Sequence, residues 1–84
     1  MVTKATTRNF ITYQRLIRDG YQPGKILKFL LDNEGITRND IAKPCNVTPQ
    51  YVTMVISGRR TSKTDAYIQV TTAITEILGF NPFQ

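Results

Sequence analysis

The sequence predicts an all-α domain of four to five helices around one core. Three observations carry this expectation: glycines and prolines cut the chain into helix-sized pieces, apolar residues recur at three- and four-residue spacing within the pieces, and hydroxyl residues or prolines stand where helices would begin. With 84 residues the chain has material for one core, because two would each fall below the size that folds without staples. It reads as a basic N-terminal segment over 1–22 carrying an amphipathic helix, a helical body over 23–79 and a short tail over 80–84.

The first helix is expected over about 7–19, with Phe10, Tyr13 and Ile17 on one side and Arg8, Arg15 and Arg18 on the other. Lys4, ahead of it, is the better candidate for a free basic arm. Gly20 and Pro23 break the pattern, and a second helix over about 23–34 carries Ile26, Leu27, Phe29, Leu30 and Leu31 before Asn33 and Gly35 end it. It is the most apolar piece and so the central one. Thr37 caps a third helix from Arg38, with Asp40 supporting the first-turn amides, and that helix should stop near Lys43 or Pro44. Thr48 followed by Pro49 starts a fourth, running to about Ser57, since proline at the first helical position loses no hydrogen bond. Ser62, with Asp65 three residues on, begins a fifth whose stripe is Tyr67, Val70, Ile74, Ile77 and Leu78, ended by Gly79. The tail from Phe80 is non-helical, and Phe80 and Phe83 either close the core or meet another subunit.

Eleven Lys and Arg against six Asp and Glu give a net charge of +5, which favours a polyanionic partner. The charge is uneven. Lys4, Arg8, Arg15 and Arg18 precede the first acid, Asp19, and Arg59, Arg60 and Lys63 form a second acid-free cluster. No His is present, so histidine acid–base chemistry and the His-containing zinc sets are excluded. With no glycine-rich phosphate loop and with dispersed acids, an enzyme is not expected, nor a cofactor, metal or small-molecule ligand. No stretch approaches a membrane span, the first residues lack the apolar run of a secretory signal, and the lone Cys45 cannot form an internal disulfide. A reducing cytoplasm is the expected setting, with Cys45 a small core filler between two helices.

The informative stretch is Thr37 to Arg60: two short helices joined by a tight turn. Ile41-Ala42, a turn residue at Asn46, then Val47, Val52 and Val55 fall at spacings with physical reasons. Ala42 lets two helices cross closely, Asn46 accepts a left-handed turn, and the valines seal the pair onto the core. This pattern, with its extension Val55-Ile56-Ser57-Gly58-Arg59-Arg60, resembles the phage-repressor type of helix-turn-helix, the lambda-repressor-like and Cro-like family. Pro44 departs from the family, since it removes a backbone donor where the first helix of the pair usually continues.

The resemblance covers about residues 24–79 and implies a compact lambda-repressor-like fold. It also implies a transcriptional regulator, a repressor of phage or prokaryotic type, that puts helix 48–57 into the major groove of double-stranded DNA as a homodimer. Independently of it, about 100° per residue puts Val52, Val55 and Ile56 on one face and Gln50, Thr53, Met54 and Ser57 on the other. Gln50 suits adenine and Thr53 and Met54 a thymine methyl, so these three are the expected base contacts. Arg38, Thr48, Tyr51, Ser57, Arg59, Arg60 and Lys63 are the expected backbone contacts. The alternative is an interaction module, antitoxin-like or polymerase-binding, that keeps the fold but holds a protein.

Overall fold

Five helices and no strand make up residues 4–83, which the computed structural model describes. They are α1 (Lys4–Arg18), α2 (Pro23–Asn33), α3 (Arg38–Cys45), α4 (Pro49–Ile56) and α5 (Asp65–Leu78). α2 buries Ile26, Leu27, Leu30 and Leu31 against α1, α4 and α5, but the element that packs against all four others is α5, which corrects the expectation that α2 is central. Val52, Val55 and Ile56 from α4, Ile41, Ala42 and Cys45 from α3, and Val70, Ile74 and Leu78 from α5 complete one continuous core. Gly79, in the left-handed conformation at φ 83°, ends α5.

The start of α3 follows its sequence closely. The Asp40 amide donates to the Thr37 hydroxyl at 3.1 Å, and the Thr37 amide donates to the Asp40 carboxylate at 2.9 Å, a complete capping box. These hydrogen bonds, the backbone one foremost, hold the Asp40 carboxyl below the usual carboxylate range. The end of α3 corrects an expectation, since the helix passes through Pro44 and stops at Cys45. Pro44 sits in the last turn on the exposed side, so it forfeits only the bond to the Asp40 carbonyl, at an exposed residue, while Cys45 is drawn into the core. Burial pushes the Cys45 thiol up, which keeps it protonated and unreactive.

Three further expectations are corrected. α1 begins at Lys4, since nothing between Lys4 and Arg8 breaks a helix, and Lys4 therefore belongs to the helix instead of a free arm. The face of α1 that meets the body is Asn9, Tyr13 and Leu16; Phe10 and Ile17 lie on its flank, 44% and 39% exposed. Phe10 instead packs edge-on against Phe80 at 5.6 Å, and Phe80 and Phe83 close the core as partly buried residues. The cap of α5 is Thr64, whose hydroxyl accepts from the Tyr67 amide at 3.3 Å. Ser62 cannot serve, because the Thr64 amide turns back onto the Ser62 carbonyl at 2.8 Å and interrupts helical geometry there.

Candidate nucleic-acid interface

The α3–turn–α4 unit is set by one left-handed residue and two caps. Asn46 adopts φ 54° and ψ 44°, and the turn closes as its amide donates to the Lys43 carbonyl at 3.2 Å and that of Val47 to Ala42 at 3.1 Å. Ala42 is buried at the approach of the two helices, where a longer side chain would hold them apart. Thr48 then caps α4, its hydroxyl accepting from the Tyr51 amide at 3.1 Å, with Pro49 at the first helical position. At eight residues α4 is about 12 Å long.

The two faces of α4 divide as the angular reading expects. Val52, Val55 and Ile56 are buried, whereas Gln50, Thr53 and Ser57 are exposed and Met54 is half-buried between them. The hydroxyls are more constrained than sequence alone suggests. Thr53 donates to the Pro49 carbonyl at 3.2 Å and Ser57 to the Met54 carbonyl at 3.2 Å, so Thr53 presents its methyl and each hydroxyl offers an acceptor outward. Tyr51, on the flank, packs its ring against the core and is half-buried.

Beyond α4 the chain folds back on its own helix end. The Arg59 and Arg60 amides both donate to the Met54 carbonyl, at 2.9 and 3.2 Å, which anchors the backbone beneath two exposed arginines. Lys63 is exposed in the same loop, before the Thr64 cap. Arg38 opens α3 and pairs with Asp32 at 3.6 Å; its side chain is only 23% exposed, so it is partly committed to holding α2 and α3 together. The structure thus gathers Gln50, Thr53, Met54 and Ser57 on one ridge, with Arg59 and Arg60 rooted at that ridge's end, and leaves Tyr51 at its margin.

One set of side chains was not singled out from the sequence. Gln22, Lys25 and Lys28 from the start of α2 share an open groove of about 530 Å³ with Arg38, Thr53 and Ser57. Gly24 eases their placement beside α4: a Cβ there would stand 3.0 Å from the Ile56 carbonyl oxygen and 3.1 Å from the Ser57 Cα, so a side chain would push the two backbones apart by a few tenths of an ångström. The legible signal was the pair Lys25 and Lys28, three residues apart and therefore on one helix face, next to a Pro-Gly start.

A second groove, of about 390 Å³, lies between α2 and α1 and adjoins the first, since Lys25 lines both. Leu16, Tyr21, Ile26 and Phe29 line it, with Tyr21 and Phe29 half-exposed. No helix among the described residues is long and apolar enough to cross a membrane. No family model matches the chain, and no curated protein or solved structure matches it either.

Proposed function

We propose that this chain is a sequence-specific, double-stranded DNA-binding regulator of transcription of the phage-repressor, Cro-like helix-turn-helix type, with α4 as the helix that enters the major groove. The observation that carries the reading is the outward ridge of α4. α4 presents Gln50, Thr53 and Met54 from a base of fully buried valines, and the major groove, about 12 Å wide, admits an α-helix of about 10–12 Å diameter carrying such a ridge. Gln50, at the exposed N-terminal end, pairs its amide with adenine N6 and N7; Thr53 and Met54 meet thymine methyls. Thr48, Arg38, Ser57, Arg59, Arg60 and Lys63 contact phosphates, with the Tyr51 hydroxyl at the margin.

A helix this short reads few base pairs. Two copies on a two-fold site double the sequence read, at half-site centres about 34–36 Å apart, so a homodimer on a palindromic operator belongs to the proposal. Repression by occupancy requires nothing beyond this domain, and the setting is the cytoplasm of a prokaryotic host. The chain acts by binding rather than by catalysis.

Fluorescence anisotropy against random and in-vitro-selected duplexes tests the reading. Selection should yield a palindromic consensus, and Gln50→Ala should change site preference by about 1–3 kcal/mol at one position while leaving nonspecific binding nearly intact. Failure of the wild-type protein to bind any duplex at about 50 mM salt overturns it, because the electrostatic contribution alone is visible there. That outcome would favour the second reading, a protein-interaction module of the antitoxin or polymerase-binding kind. The groove between α1 and α2, with Tyr21 and Phe29 half-exposed at its wall, is the observation on its side.

A further inference from the structure

We infer that the groove between the start of α2 and α4 is a second phosphate-binding strip, in which Lys25 and Lys28 carry one strand of the duplex backbone alongside α4. The inference rests on the DNA-binding reading above and extends it to residues outside the α3–α4 unit.

Three cationic side chains, Lys25, Lys28 and Arg38, line this groove, and among the described residues no acidic side chain does. Among the described residues the only salt bridge is Arg38 to Asp32, so neither lysine has a carboxylate partner there. The charge comes from side chains and not from a helix terminus: the positive start of α2 lies against the carbonyl end of α4, at Gly24 and Ile56, and the two partial charges offset each other. The Gln22 side chain makes no capping hydrogen bond to α2, which leaves its amide available to a ligand oxygen.

Position identifies the ligand. Thr53 and Ser57 belong both to this groove and to the outward ridge of α4, so the groove opens directly along one edge of the reading face. Tyr51 marks the opposite edge, about 160° away around the helix from Thr53. When α4 lies in the major groove, the strand bordering its Thr53–Ser57 edge passes over Lys25 and Lys28. Pro23, Ile56 and the side-chain stems give the wall much apolar surface, and the ammonium groups of Lys25 and Lys28 at its border are what suit it to a phosphodiester backbone.

The test is a titration of a random 20-base-pair duplex with the full chain between about 50 and 200 mM salt, for the wild type, Lys25→Gln/Lys28→Gln, Lys25→Arg/Lys28→Arg and Arg59→Gln/Arg60→Gln. Losing two phosphate contacts should make the salt slope shallower by about 1.8 and lower affinity about tenfold at moderate salt, with the ranking of selected sites unchanged. The arginine pair should keep the wild-type slope. Circular dichroism should be the same for all four, since both lysines are exposed. If the glutamine pair keeps the wild-type slope while Arg59→Gln/Arg60→Gln loses it, the strip is wrong and the DNA-binding reading stands. If the wild type binds no duplex, the functional reading fails and the strip falls with it.

Discussion

α4 and α1 are both amphipathic helices with cationic neighbours, yet they are seated in opposite ways. α4 rests on Val52, Val55 and Ile56, all buried, and turns a polar ridge outward. α1 is seated by one buried polar side chain, Asn9, flanked by half-buried Tyr13 and Leu16, and leaves Phe10, Ile11 and Ile17 substantially exposed. The Asn9 amide donates to the Glu34 carboxylate and to the Leu78 carbonyl, both at 3.3 Å, and so ties α1 to the ends of α2 and α5 at once. An apolar base supplies most of its stabilisation without direction, whereas a polar clamp supplies little net energy but fixes one docking geometry. α4 is therefore part of the core, and α1 is an element fastened onto it.

The largest test of that contrast compares truncations at the two bases. Ile56→Ala should cost about 3 kcal/mol, from lost burial plus the cavity it leaves, whereas Leu16→Ala, at a half-buried site open to solvent, should cost about half as much. Thermal or denaturant unfolding measures both, and equal losses would mean that α1 is as integral to the core as α4. Asn9→Ala should come next, at about 1–2 kcal/mol, because the Leu78 carbonyl loses its side-chain donor in a buried setting. It should leave duplex affinity almost unchanged under conditions where the protein stays folded, since α1 contributes nothing to the α4 ridge. A large loss of affinity in folded Asn9→Ala protein would show that α1 takes part in the DNA contact.

The smallest effect belongs to Asp40, in the capping box that starts α3. Its carboxyl titrates lower in the folded chain than in the unfolded one, so its stabilisation is complete above the ordinary aspartate range and disappears as pH falls through the lowered folded value. Stability should therefore decline at the acid end more steeply for the wild type than for Asp40→Asn, and the two profiles should converge once the carboxyl is protonated. Parallel profiles at all pH values would remove the box as a contributor.

Much of the candidate site was legible because its determinants are local. Thr48 and Pro49 set the start of α4, Asn46 accepts the left-handed turn, and helical periodicity alone separates Val52, Val55 and Ile56 from Gln50, Thr53 and Ser57. The face of α1 was not legible, because Asn9 is buried for partners 25 and 69 residues away that no local pattern announces. The start of α5 was misplaced at Ser62 for the opposite reason: Thr64 is a hydroxyl residue two positions on, and a backward turn at Lys63 makes it the cap.

The sequence by itself determined five helical segments, the caps that start α3 and α4 and the two faces of α4, all of which depend on residues within one or two turns of each other. Only the tertiary structure decided that α1 sits on a polar clamp and that Lys25 and Lys28 stand beside Thr53 and Ser57. Both follow from close approach between segments distant in the chain, and the second is eased by Gly24 having no side chain to push α2 away from the end of α4.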